Sequence, residues 1–246
     1  MQPSNLTMTL NPSWNSAAYG AFLAVSELFF PRLCIPCGRK LIDVEQFLCL
    51  HCWHDLPRTN YHTEADNKVA QLFWGRTTVN NATAWLLFRK GSHYQQLIHY
   101  LKYKGYREIG RVLGYQFGLE LTTSPFAGND IILPVPLHRS RLRVRGFNQS
   151  EFIAQGLSEA LHIPMMKEPL VRRVQTATQT RKNRYERWQN VADIFIVPER
   201  ESVTGKRILL VDDVVTTGAT LEAAVNTLLK AGVASVDIAT LAVAGL

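Results

Sequence analysis

Ile208-Leu-Leu-Val-Asp-Asp-Val-Val-Thr-Thr-Gly-Ala-Thr220 passes from an aliphatic run, through two adjacent acids, into a loop of small residues. Ile208 to Val211 read as a short strand buried on both faces, because nothing polar interrupts them. Asp212 and Asp213 follow at its carboxyl end. Thr216, Thr217, Gly218, Ala219 and Thr220 then lead into a segment whose apolar positions, Leu221, Ala224, Val225, Leu228 and Leu229, recur at helical spacing. The order is therefore strand, acid pair, loop and helix start.

That order has a chemical meaning. Small residues let a backbone approach a ligand closely, and the unpaired amides of a helix N-terminus favour a phosphate. The threonine hydroxyls add donors. Ionised carboxylates only accept, so Asp212 and Asp213 suit vicinal sugar hydroxyls and not phosphate. A phosphate cradle beside hydroxyl-binding acids suggests a ribose 5-phosphate site. The stretch resembles the motif that binds phosphoribosyl pyrophosphate (PRPP) in type I phosphoribosyltransferases. It is neither a Walker A loop nor a dinucleotide glycine fingerprint. An ordinary strand–loop–helix with an exposed Asp-Asp turn is the plain alternative.

Outward from the motif, strands alternate with helices. Ala82–Arg89, Asp130–Val135, Leu170–Val174, Asp193–Val197, Arg207–Asp212 and Val236–Val243 read as strands. Tyr94–Leu101, Gly110–Leu121 and Asn148–Leu161 carry apolar residues at helical spacing. This alternation predicts a doubly wound parallel α/β sheet. Ligands of such sheets sit beyond the carboxyl ends of the strands, which brings together Asp212, the 216–220 loop and the loop after Val135. That second loop, His138–Gly146, carries arginines at 139, 141, 143 and 145. If extended, it presents them on one face. Arginine forks suit pyrophosphate oxygens, and Arg139, Arg143 and Arg145 are the candidates; a solvated basic loop is the alternative. Residues 175–190 lack apolar periodicity, so they read as a lid over the crevice or as an exposed linker.

All four cysteines lie between positions 34 and 52. Cys34-Ile-Pro-Cys37 and Cys49-Leu-His-Cys52 form two Cys-x-x-Cys knuckles, which read as a closed, structural Zn2+ site with Cys34, Cys37, Cys49 and Cys52 as ligands. Disulfides are the rival reading, and reducing compartments disfavour them. His51 and His54 are possible substitute ligands. The domain reading is a tail with an amphipathic helix over 1–30, a zinc-ribbon module over 31–60, a polar linker over 61–80 and an α/β domain over 81–246.

The net charge is +7, and residues 139–187, with eleven Lys and Arg against four Glu, account for all of it. Such a stretch reads as a solvated face, as a funnel for a polyanionic substrate, or as a surface for nucleic acid. Tyr185 and Trp188 lie within it and could stack on bases. No run of eighteen uncharged apolar residues occurs, which predicts no membrane span, and no basic leader precedes Ala17–Phe30. A cytoplasmic protein is expected.

Taken together, the chain resembles the ComF family of competence-associated phosphoribosyltransferase-like proteins. The matching features are the cysteine module, Leu101-Lys-Tyr-Lys-Gly105, Pro134-Val-Pro136, Arg145-Gly-Phe-Asn-Gln149, the 179–190 segment and Leu210–Thr220. The resemblance implies a type I phosphoribosyltransferase fold, PRPP binding with Mg2+, pyrophosphate release on transfer to an acceptor, and a part in DNA uptake. Single-stranded DNA, held by the basic stretch, and competence or helicase-type proteins are the candidate partners. The alternative function is a non-catalytic accessory protein that senses PRPP and binds single-stranded nucleic acid. Purine-type enzymes of the wider superfamily carry an aspartate where Thr216 stands, so purine salvage of that kind is not expected.

Overall fold

The computed structural model describes residues 31–89, 91–103, 106–173 and 194–245. The expected helix over 17–30 and the 175–190 segment, with Tyr185 and Trp188, lie outside them. The chain divides into two compact units, Met1–Asp55 and Leu56–Leu246. The cysteine unit thus closes at Asp55, short of the expected position 60.

In the first unit the described chain turns back at Gly38, whose φ of 70° places it in the left-handed region. Cys34 N–H donates to Arg39 O (2.7 Å) and Leu41 N–H to Arg32 O (2.8 Å), forming a short hairpin. The second knuckle sits at the start of helix α1 (Leu50–His54), with Cys49 at its N-cap. Glu45 ties the connection down, accepting from the amides of Ile42 (2.9 Å) and Leu50 (2.7 Å). Those bonds hold its carboxyl below the usual carboxylate range.

The second unit is built on four parallel strands in the order β1 (Ala82–Phe88), β6 (Ser235–Ala244), β5 (Arg207–Val215) and β2 (Ile131–Pro134). Ile208 and Leu210 of β5, Ile131 and Leu133 of β2, and Val236 and Ile238 of β6 share one buried cluster with Leu221, Val225 and Leu228 of helix α7 (Ala219–Lys230). Alternation sends Leu209 and Val211 to the other face. There helices α4 (Arg107–Leu121) and α6 (Gln149–Leu161) pack, with Phe117 of α4 stacked on Trp85 of β1 at 5.8 Å. Helix α3 (Gln95–Tyr103) precedes α4. Parallel strands covered on both faces are the α/β architecture expected, and the aliphatic run of the motif lies in its middle.

Three expectations need correction. Residues 61–80 are no linker: Val69 of helix α2 (Lys68–Gln71) and Phe73 are buried in the sheet's core. Asn67 caps α2 through Val69 N–H (2.9 Å) and Ala70 N–H (3.1 Å), while its amide donates to the carbonyls of Glu64 and Ala82, both at 2.8 Å. Val69 and Phe73, one helical turn apart, enter the core, and Tyr61, Ala70, Leu72 and Val79 pack against it. Second, Val171–Arg172 (β3) does not join the sheet but pairs antiparallel with Phe195–Ile196 (β4). Third, the basic loop is a helix, α5 (Arg139–Arg145). Arginine is a good helix former, the His138 side chain accepts from Ser140 N–H, and Gly146 (φ 77°) closes the turn with a 2.7 Å bond to Leu142 O.

Candidate functional site

Strand β2 pairs with β5 only as far as Pro134–Val211, and then Val135 N–H makes one last bond to Val211 O (2.8 Å). Strand β5 continues to Val215 because β6 still pairs with it, Asp212 facing Thr240 and Val215 facing Val243. The acids therefore lie within a strand whose β2-side edge has opened. A cavity of about 360 Å3 fills the opening. It brings together Asp212, Asp213, Thr216, Thr217, Gly218, Ala219, Thr220 and Arg145, and Lys102, Arg141 and Arg172 line it too.

The acids are held differently. Asp212 Oδ1 accepts from Ser150 Oγ (2.8 Å) and from Asp213 N–H (2.8 Å). Burial, and then the charge of Asp213, push its carboxyl up to about 7. Asp213 instead pairs with Lys102 Nζ of α3 at 2.9 Å. Ser150 owes its place to Asn148, which caps α6 and donates to Val135 O (3.0 Å), joining the helix to the end of β2.

Below the acids, Gly218 caps α7 with φ 75°. A Cβ there would meet Phe73 Cε1 at 3.0 Å, so both conformation and space favour glycine. The first-turn amides of α7 and the Thr216, Thr217 and Thr220 hydroxyls form an anion-favouring end.

Above them stand the arginines. Helical geometry splits the four of α5 into two pairs four residues apart, so Arg141 and Arg145 face the cavity while Arg139 and Arg143 do not line it. Arg145 donates to Gln149 Oε1 (2.6 Å). Arg172 reaches in from β3, its guanidinium 5.5 Å from the Phe195 ring; burial, and then repulsion from Arg141, lower its pKa. Sequence reasoning left out Lys102, Arg141, Ser150 and Arg172 as site residues, Arg141 because an extended loop does not single out its pairing with Arg145. Lys102 and Ser150 lie in or beside motifs that carried the family resemblance, but no local pattern marks Arg172.

In the other unit the sulfurs of Cys34, Cys37, Cys49 and Cys52 all lie within 4.8 Å of one another. Cys37 and Cys49 sulfurs are 3.7 Å apart, well beyond a covalent S–S bond, and all four cysteines are free here. A tetrahedral zinc with Zn–S of ~2.3 Å needs sulfurs ~3.8 Å apart, so this donor set fits that ion. Burial pushes the Cys34 thiol up, and the Cys49 N–H donated to its Sγ (3.3 Å) partly offsets this. His51 and His54 instead contact Asp55.

Comparison with known proteins supplies the relationship. Residues 147–245 match the phosphoribosyl transferase domain model. The DNA utilization protein YhgH of Escherichia coli O157:H7 is 36% identical over 146 residues, 58% of this chain and 63% of that protein. Competence protein F of Haemophilus influenzae is 29% identical over 221 residues, 85% of this chain and 96% of that protein. Competence protein ComFC of Bacillus subtilis is 28% identical over 210 residues, 83% and 80% of the two chains. These names and the domain match support the ComF family. The chain's fold is that of type I phosphoribosyltransferases, with the four-cysteine unit ahead of it. The domain match takes in Ser150, Arg172, the acid pair and the loop, while Lys102, Arg141 and Arg145 precede it. Among the described residues no helix is long and apolar enough to cross a membrane.

Proposed function

We propose that the chain binds PRPP together with Mg2+ and transfers its phosphoribosyl group to an acceptor, releasing pyrophosphate, as a cytoplasmic protein serving DNA uptake. The observation that carries this reading is the single cavity holding an acid pair between an anion-favouring helix start and converging arginines. These spacings follow the chemistry of PRPP, a sugar diol with anionic groups at both ends.

The α7 amides and the threonine hydroxyls receive the 5-phosphate. Asp212 and Asp213 accept hydrogen bonds from the ribose hydroxyls. Arg141, Arg145 and Arg172 receive the pyrophosphate, a role in which Arg141 and Arg172 replace Arg139 and Arg143. The carboxylate oxygens of Asp212 and Asp213 suit Mg2+, which when bound with PRPP would neutralise charge on the leaving pyrophosphate. In the reaction the C1–oxygen bond to pyrophosphate breaks with its electron pair leaving on pyrophosphate. The acceptor's lone pair forms the new bond to C1, and the acceptor's proton passes to solvent. The protein's contribution is positioning and fixed charge. Thr216 offers no carboxylate for a purine ring. The cysteine unit holds zinc as a structural ion.

Calorimetry with PRPP and Mg2+ tests the reading. Removing a carboxylate that makes two charge-assisted hydrogen bonds costs about 3 kcal/mol, so Asp213→Ala is expected to weaken PRPP about a hundredfold. Wild-type affinity in that variant refutes the assignment.

A further inference from the structure

The phosphate loop is gripped from behind by a segment that takes no part in the cavity. Arg76 Nη1 donates to Thr217 O at 2.8 Å and to Leu72 O at 2.9 Å, and Nη2 pairs with Glu222 in the first turn of α7. Leu72 and Phe73 lie against Gly218 on this same side. None of Leu72, Phe73 and Arg76 lines the cavity, whereas Thr217 and Gly218 do. The loop is a thin wall between the two.

A trans peptide is planar, and its carbonyl and the following N–H point in opposite directions. Holding Thr217 O on the Arg76 side therefore directs the Gly218 N–H to the cavity side. We propose that Arg76 is a positioning residue of the phosphate cradle, fixing the 217–218 peptide so that the Gly218 amide is presented to the sugar phosphate. This rests on the PRPP reading above. Arg76 never touches the ligand, and its charge is already matched by Glu222, so its effect is orientation and not attraction. An unpinned peptide at a glycine can rotate, and reorienting it costs part of the binding energy. Arg76 also lies well before residue 147, where the domain match begins, so the cradle depends on a segment outside that match.

The test uses the full chain and two probes, ribose 5-phosphate and inorganic pyrophosphate, titrated calorimetrically. Wild type must bind ribose 5-phosphate; if it does not, the PRPP reading itself fails. Given that binding, Arg76→Met is expected to weaken ribose 5-phosphate about tenfold, one lost hydrogen bond's worth, while changing pyrophosphate affinity less than about twofold. Arg76→Lys, which keeps the charge and hydrogen-bond donors but not the two-pronged fork, is expected to recover part of the loss. It also serves alone, with a loss of about threefold, if the methionine variant does not fold. An unchanged ribose 5-phosphate affinity, or equal weakening of both probes, overturns the proposal.

Discussion

Lys102 Nζ lies 2.9 Å from Asp213 Oδ2, with only 20% and 14% of the two side chains exposed. A fully exposed pair contributes about 0–1 kcal/mol, but this one also offsets the repulsion between Asp213 and Asp212. Removing the lysine leaves two adjacent acids in a half-closed cavity. In a double-mutant cycle of Lys102→Met and Asp213→Asn, read by urea denaturation, the coupling is expected at about 1–2 kcal/mol. Additive single effects would show that the pair is incidental.

Asp212 gives stability an unusual slope with pH. An unfolded aspartate titrates near 4, whereas burial and the Asp213 charge raise the folded value to about 7. The native state thus holds the proton more tightly. Its contribution is complete below about pH 4 and is lost as pH rises through about 7. Glu45, Asp55 and Asp130, held below their ordinary values, act in the opposite sense at lower pH. The difference between wild type and Asp212→Asn isolates the Asp212 part. Without ligand, wild type is expected to lose on the order of 2 kcal/mol relative to the variant between about pH 4 and 8. A flat difference in chemical denaturation across that range would contradict it.

The cysteine unit is expected to hold one zinc ion, measured by elemental analysis of protein purified without chelator. Structural zinc contributes about 10–16 kcal/mol to folding small modules, far more than a short hairpin and a five-residue helix supply. Chelation, or Cys49→Ser, should therefore abolish hydrogen-exchange protection over residues 31–55. The amides of β5 and β6 should stay protected. Protection that survives metal removal would argue against a structural role for the ion.

What the sequence made legible was local. Strand, acids, loop and helix follow one another along the chain, so their order alone grouped Asp212, Asp213 and the 216–220 loop, which line one cavity. Residues delivered from afar carry no such signal: Lys102 comes from α3 and Arg172 from a two-residue strand outside the sheet. The arginines were legible as a cluster but not as a surface. Alternate arginines share a face in an extended chain and split into two faces in a helix, and the capping by His138 and Gly146 decides for the helix. Val69, Leu72 and Phe73 do stand at helical spacing, but a run of barely one turn inside a polar stretch does not establish a period.

Close backbone contact with α4 keeps α6 in place. Helices α4 and α6 cross where neither has side chains: a Cβ on Gly156 would stand 2.1 Å from Arg111 O and 2.4 Å from Tyr115 N, and one on Gly114 would stand 2.2 Å from Ile153 O. These are backbone atoms, which cannot rotate aside, so even a methyl group forces the helices apart. Overpacking of this kind costs about 3 kcal/mol. For a unit of this size that is a fall of about 6–12 °C in Tm for Gly156→Ala or Gly114→Ala. Gly128→Ala is the control, since its Cβ would meet only the end of the Arg207 side chain, at 3.5 Å, and it should shift Tm by less than about 2 °C. The damage should also reach the cavity, because α6 begins with the residues that hold Val135 and Asp212. Gly156→Ala is therefore expected to weaken PRPP binding at temperatures where the variant is still folded. A Gly156→Ala protein as stable as the Gly128→Ala control would show that the two helices can separate freely.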